Sequence, residues 1–151
     1  MSETGVRAAW SVEPPKKKHN HIVLKWDGDQ RFDAGRAGGV THRIDVSGKT
    51  GPGPVDTLLN ALAACTSVDV LEILAKRRTP ATGLEVDVHA DRVVAIPARL
   101  ETVKLVYRIA GHNIDREHAE RAVELAVTKY CSVRESLDPR IEITWAVELL
   151  G

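Results

Sequence analysis

Aromatic residues and cysteines are scarce in this chain of 151 residues, which has three Trp, two Tyr, one Phe and two Cys. With so few aromatic side chains, a core must be built from Val, Leu, Ile and Ala. Two cysteines are too few for the disulfide framework of a small secreted domain, so we expect free thiols. The length suits one domain, and 43% hydrophobic residues are enough for a folded core.

The chain also lacks an excess of charge of either sign and any long apolar run. Lys and Arg total 21 and Asp and Glu total 21, so the formal net charge is zero. This balance argues against a nucleic-acid-binding protein, which normally has a basic face. No uninterrupted apolar run approaches the roughly 18 residues of a spanning helix, and no secretory signal pattern is seen. We therefore expect a cytoplasmic protein that binds neither nucleic acid nor membrane.

The predicted elements are those of a single α+β domain. Residues 1–20 contain a Pro pair and a Lys triplet without apolar periodicity, which predicts a flexible tail before a domain at 21–151. Asp27-Gly28-Asp29 predicts a hairpin turn between the first two strands. Strands are expected at residues 21–26, 30–34, 40–46, 84–91, 103–109 and 141–149. With the helices between them, the predicted order is βββ-α-ββ-α-β.

The first helix is predicted over residues 55–78. Pro54 suits its start, where a missing N–H costs nothing, and Pro80 ends it. Its middle is apolar almost all the way round and small in side chain. This pattern predicts a helix that is buried on most sides, by sheets of the same chain or by a partner chain.

Two further helical segments are predicted before the last strand. One covers residues 115–129 and is capped by Asn113 or Asp115. The other begins at Ser132, because Ser132 and Glu135 have the spacing of a capping box.

The two cysteines are the candidate reactive residues. Cys65 lies in the middle of the first helix, and Cys131 follows the second helix. Their separation fits neither a zinc site nor a CxxC redox motif. Because a free cysteine often acts as a small buried hydrophobe, the pattern alone leaves packing and catalysis both open.

A reactive Cys65 needs a positive charge from outside its own helix. The helix dipole acts within the first turn, and Cys65 is about ten residues further along. Candidate cations in the N-terminal strands are Arg31, Arg36 and Arg43.

Patterns typical of phosphate-binding loops and metal sites are incomplete in this sequence. Gly48-Lys49-Thr50 is similar to the end of a phosphate-binding loop, but the preceding glycine is missing and Pro52 and Pro54 interrupt the required helix. No HExxH or paired-histidine pattern occurs. We predict neither a metal site nor a cofactor.

Two segments around the cysteines resemble motifs of the OsmC/Ohr family, most closely of its OsmC-like branch. They are Gly53-Pro-Val-Asp-Thr-Leu-Leu-Asn-Ala-Leu-Ala-Ala-Cys65-Thr-Ser-Val-Asp-Val and Lys129-Tyr-Cys131-Ser-Val. The order of elements matches over about 21–149. The resemblance implies an intertwined homodimer with a long central apolar helix and two active sites at the subunit interface.

The resemblance also implies a thiol-dependent peroxidase for oxidative-stress defence. Cys65 would reduce an organic or small hydroperoxide, Cys131 would form a disulfide with it, and an external dithiol would restore both thiols. Arg31 is the candidate activating cation. Asp56 is a weaker candidate, because the hydroperoxide branch has its glutamate where this chain has Val55. The alternative is a non-catalytic OsmC-like dimer that binds an apolar ligand, with cysteines that only pack.

Overall fold

The structure is a computed structural model that describes residues 13–151. They form two compact units, one that ends at Gly51 and one at Pro52–Gly151, and each is described by itself. Residues 1–12 of the predicted tail lie outside the described residues, and residues 13–20 contain no helix or strand. The flexibility of this tail stays a prediction.

The first unit contains a three-stranded antiparallel meander. Its strands, in spatial as well as chain order, are β1 (Ile22–Trp26), β2 (Arg31–Arg36) and β3 (Thr41–Asp45). The predicted turn joins β1 and β2, and its Gly28 has φ +81°. A Cβ at Gly28 would lie 3.3 Å from Nη2 of Arg31, so both conformation and space favour glycine there.

Strand β2 runs two residues further than predicted. Gly35 and Arg36 pair with Val23 and Ile22 of β1, so they belong to the sheet and not to the following turn. The glycine-rich turn that the sequence predicts at residues 35–39 is correspondingly shorter. Pairing with both neighbouring strands outweighs the weak intrinsic preference of glycine for a strand.

The loop after β3 is built around a buried carboxylate. Asp45 is only 2% exposed and accepts hydrogen bonds of 2.7–2.9 Å from the backbone N–H and the hydroxyl of both Ser47 and Thr50. These hydrogen bonds hold the pKa of Asp45 well below its usual range. Since Asp45 occupies these N–H groups, Gly48-Lys49-Thr50 is not a phosphate cradle, as the spacing predicts.

The second unit packs helices against a three-stranded sheet. Its elements are α1 (Pro54–Lys76), β4 (Ala81–Arg92), β5 (Leu100–Gly111), α2 (Arg116–Leu125), a π-helical turn (Ala126–Tyr130), α3 (Ser132–Ser136) and β6 (Glu142–Leu150). The central strand β5 is antiparallel to β4 and parallel to β6. The predicted α+β class and element order are confirmed, and α3 is the predicted short helical turn.

The core of this unit lies between β5 and the helices. Alternate residues of β5 are fully or almost fully buried, and they are Val103, Leu105, Tyr107 and Ile109. Three residues of α2 share this core, namely Ala119, Ala122 and Val123. The strict alternation of apolar and polar residues in the sequence of β5 therefore predicts its buried face correctly.

The elements of the single chain bury helix α1 on one face only, and cover of its other faces by a partner chain stays a prediction. Its buried stripe consists of Leu62, Thr66, Val70 and Leu74. On other faces Leu58 is 39% exposed, Val68 55% and Leu71 39%. An apolar helix needs cover all round, and the elements of a single chain bury only one stripe of this one.

By length and composition alone, α1 is also a helix that could cross a membrane, and it is the one such helix within residues 13–151. Its apolar residues are interrupted by Asp56, Asp69 and Glu72, so no long uninterrupted apolar run is present in the helix. The core helix of a globular protein can have the same length and composition.

Candidate active site

The start of α1 is fixed by its own backbone and side chains. Pro54 is the first helical residue, and the side chain of Asp56 accepts a hydrogen bond of 3.0 Å from the N–H of Gly53. Asp56, predicted as a weak site residue, therefore serves the helix N-terminus, where a carboxylate is favourable. Val55, at the position of the family glutamate, packs against the core of the second unit.

Cys65 lies three turns into α1, on the border of its buried stripe. Its side chain is half-buried and touches the core cluster. The next residue, Thr66, is fully buried and has its hydroxyl oxygen 2.6 Å from the hydroxyl oxygen of Tyr107 on β5. Thr66 and Tyr107 were not identified from the sequence, because residues 41 positions apart are not related by any local pattern.

Cys131 is placed by an unusual helix end. The predicted helix 115–129 is regular only to Leu125, and a π-helical turn follows through Tyr130. Of the two predicted N-cap residues, Asp115 caps helix α2, because its side chain accepts a hydrogen bond of 2.9 Å from the N–H of Glu117. A π-helical turn is rare and is often found at functional sites.

The residue that caps α3 is Cys131 itself, which corrects the predicted capping box at Ser132. The Sγ atom of Cys131 accepts a hydrogen bond of 3.2 Å from the N–H of Arg134, and Ser132 is the first residue inside the helix. The guanidinium of Arg134 donates to the carbonyls of Asp138 and Ile141, at 3.3 and 3.2 Å. Arg134 thus ties the Cys131 turn to the chain that leads into β6.

The two cysteines are neighbours and their environments differ. Cys131 is buried, at 4% exposure, and burial raises the pKa of its thiol to about 11. The N–H of Arg134 opposes this rise, whereas the adjacent Cys65 thiol adds to it. Both thiols are free among the described residues. Cys131 is therefore protonated at neutral pH, and Cys65 is the more accessible of the pair.

The three candidate arginines of the first unit differ in their contacts. The guanidinium of Arg43 donates hydrogen bonds to the carboxylates of Asp33, at 3.0 Å, and Asp27, at 2.8 Å, so it is already paired with two acidic residues. Arg36 is exposed at the end of β2. Nε of Arg31 is buried and has no hydrogen-bond partner within residues 13–151, whereas Nη2 of Arg31 lies 3.9 Å from a carboxylate oxygen of Asp29, which is a long ion pair. What distinguishes Arg31 among the three is that its Nε–H is buried and free for a further acceptor.

Within the described part of the chain, no group of three His, Cys, Asp or Glu side chains is arranged to bind a metal ion. The site consists of two thiols, a buried hydroxyl pair and backbone donors. Free thiols are the groups that thiol–disulfide exchange and thiol oxidation require.

The second unit thus defines an α+β protein with two neighbouring thiols, one on a central helix and one at a helix cap. The profile described as OsmC-like protein matches residues 47–146. Protein YhfA of Escherichia coli K12 is 30% identical over 131 residues, which are 85% of this chain and 96% of that protein. This chain belongs to the OsmC-like family.

Solved structures agree on the fold. An OsmC-like protein from Mycoplasma pneumoniae has a TM-score of 0.76 at 18% identity, over 90% of this chain and 100% of that one. The organic hydroperoxide resistance protein OhrB of Bacillus subtilis has a TM-score of 0.60 at 14% identity, over 87% of this chain and 98% of that one. The fold is thus more similar to the OsmC-like structure than to OhrB.

Proposed function

We propose that this protein is a thiol-dependent peroxidase that reduces organic hydroperoxides in defence against oxidative stress. The main support is the pair of unequal neighbouring thiols, of which Cys65 is half-buried and Cys131 is buried with its pKa raised to about 11. A thiolate is the nucleophile in such chemistry, so the protonated Cys131 is not the first to react. Cys65 is therefore the peroxidatic thiol and Cys131 the resolving thiol.

The proposed catalytic cycle has three steps. The Cys65 thiolate attacks the peroxide, the O–O bond breaks, and an alcohol leaves after its oxygen takes a proton, which leaves a sulfenic acid on Cys65. The Cys131 sulfur then attacks the sulfenic sulfur, forming the disulfide and releasing water. An external dithiol reduces the disulfide by two exchanges and is itself oxidised to a disulfide.

Arg31 is the proposed cation that favours the Cys65 thiolate. The support is its buried Nε without a partner in the described chain, together with the commitment of Arg43 to two carboxylates. A cation beside an acidic group shifts its protonation equilibrium by roughly tenfold to a thousandfold. We expect Arg31→Ala to slow peroxide reduction at least about tenfold, and Arg36→Ala, on the same strand, to leave it unchanged.

A homodimer is the proposed assembly. Its support is apolar surface that the single chain leaves open, on the outer face of α1 and on β1, where Ile22, Leu24 and Trp26 alternate and are exposed. Large exposed apolar patches mark sites of protein association. The proposed location is the cytoplasm, where an external dithiol is available to keep cysteines reduced.

The proposal is tested by following organic hydroperoxide consumption in the presence of a small dithiol. The full-length protein is expected to turn over, and Cys65→Ser to be inactive. With the dithiol left out, Cys131→Ser is expected to react once with the hydroperoxide and to retain a sulfenic acid on Cys65 that a sulfenate-specific reagent traps. Undiminished turnover by Cys65→Ser would overturn the assignment. Inactivity of the full-length protein would favour the alternative of a dimer that binds an apolar ligand.

A further inference from the structure

We propose that Tyr107, acting through Thr66, is a positioning residue that sets the separation of the Cys65 and Cys131 sulfurs and thereby the ease of disulfide formation. This inference rests on the proposed redox pairing of the two cysteines. It concerns the geometry of the pair and not the reaction with peroxide.

The hydroxyl pair forms a directed chain of hydrogen bonds. The Thr66 oxygen is 3.0 Å from the carbonyl oxygen of Leu62 and 3.1 Å from that of Ala63. Its single hydrogen is satisfied there, so it accepts from the Tyr107 hydroxyl, at 2.6 Å. Tyr107 is fully buried and needs this acceptor, because a buried hydroxyl without a partner is costly.

These hydrogen bonds act on the turn of α1 to which Cys65 belongs. Thr66 follows Cys65 directly, and its bonds to the carbonyls of Leu62 and Ala63 span the same turn. Tyr107 lies on the central strand β5, where it is paired with Val86 of β4 and Val147 of β6. The bond between Thr66 and Tyr107 therefore fixes the rotation of this turn against the most firmly held strand of the sheet.

The same tyrosine is close to the second cysteine. Burial is the main cause that raises the pKa of Tyr107 to about 12, and negative charge on Cys131 in its thiolate form raises it further. The phenol thus lies in electrostatic range of Cys131, while its hydrogen-bond partner is adjacent to Cys65. A tyrosine with this pKa keeps its proton at neutral pH, so it acts as a hydrogen-bond donor and not as a base.

A small rotation of α1 is enough to change the distance between the Cys65 and Cys131 sulfurs. With an outer helix radius of about 5–6 Å, a turn of roughly 20° moves a side-chain sulfur by about 2 Å. That displacement equals the length of the S–S bond, and disulfides require well-defined Cα and Cβ separations. One hydrogen bond alters an equilibrium constant by a factor of about 2–13. We expect a loss of about threefold to tenfold in the effective concentration of the thiol pair when the hydroxyl pair is removed.

The test measures the effective concentration of Cys65 and Cys131 by equilibration of the full-length protein with reduced and oxidised glutathione. In this reaction one thiolate displaces a glutathione from its disulfide, and the second thiolate displaces the other glutathione. Tyr107→Phe and Thr66→Val are expected to lower the effective concentration to a similar extent, and Thr66→Ser, which keeps the hydroxyl, to restore it. Alkylation of Cys65 in the reduced protein is expected to be unchanged in all three.

Val70→Ala is the matched control, because Val70 lies one turn further along the same buried stripe and has no hydroxyl. It is expected to destabilise the protein without changing the effective concentration in the folded state. Equal values for Tyr107→Phe and the parent protein, within twofold, would overturn the inference, as would a fall of the same size in Val70→Ala. A parent protein that forms no disulfide in oxidised glutathione would also overturn it.

The outcomes separate this inference from the proposed function. The glutathione experiment contains no peroxide, so a normal disulfide equilibrium without peroxide turnover contradicts the proposed function alone. Peroxide turnover together with an unaffected Tyr107→Phe equilibrium contradicts the positioning role alone.

Discussion

Replacing Cys65 with serine isolates the buried thiol and predicts that Cys131 is alkylated slowly in the folded protein. Burial is the largest cause that raises the pKa of Cys131 from 9.0 to about 11, and it does not depend on Cys65. The Cys65 thiol adds a smaller contribution, so most of the shift remains in Cys65→Ser. The N–H of Arg134 continues to oppose it.

The expected slowing follows from this pKa. Below pH 9, a thiol with a pKa of about 11 has roughly 100-fold less thiolate than one at 9.0. A more basic thiolate is also a better nucleophile, and with a Brønsted coefficient of about 0.4–0.5 this recovers about sixfold to tenfold. Alkylation is therefore expected to be about tenfold to fifteenfold slower than for an ordinary thiol. Limited access to a side chain that is 4% exposed slows it further.

The assay follows iodoacetamide labelling of Cys65→Ser by intact mass, in native buffer and in urea, between about pH 7 and 10.5. In urea the rate is expected to level off near the ordinary thiol pKa. In native buffer it is expected to keep rising through about pH 10. Equal rates in both buffers, or a plateau at the same pH, would refute the assignment of Cys131 as the protonated, resolving thiol.

Three further predictions concern other parts of the chain. Thr66→Val leaves the Tyr107 hydroxyl without an acceptor and is expected to lower the free energy of unfolding by about 1–3 kcal/mol. Adding Tyr107→Phe to Thr66→Val is expected to restore most of this loss. Urea unfolding of the single and the double variant at fixed protein concentration measures the two values. Since the pKa of Asp45 is depressed in the folded protein, its ionised carboxylate stabilises the fold above pH 4, and this stabilisation is lost as the pH falls. Asp45→Asn is therefore expected to speed amide hydrogen exchange in the loop after β3 at pH 7, and to speed it much less near pH 2. Val68→Asp, on the exposed face of α1, is expected to convert a dimer to monomers in sedimentation, whereas unchanged sedimentation would contradict the proposed dimer face.

The sequence predicts well the features that depend on neighbouring residues. Pro54 and Pro80 bracket the first helix because their effects on the backbone are local, and the Asp27-Gly28-Asp29 turn forms where the dipeptide preference predicts it. The buried face of β5 is correct because its alternation covers a whole strand. The element order follows from these signals together.

Other parts of the site depend on contacts that no local pattern specifies. Cysteine is not a favoured N-cap, so Cys131 was not expected to replace Ser132 as the cap of α3. The contact between Thr66 and Tyr107 joins a helix to a strand far along the chain, and it exists only because both residues face one core. Hydrophobic patterning predicts that the outer face of α1 is apolar, but it does not specify what packs on that face.

The most direct test of the account is to count free thiols by intact mass before and after one equivalent of an organic hydroperoxide. The expected result is a loss of two hydrogens that a dithiol reverses and that Cys65→Ser prevents. Two thiols that remain unchanged in the presence of active peroxide would contradict the redox pairing and would leave Cys65 and Cys131 as packing residues.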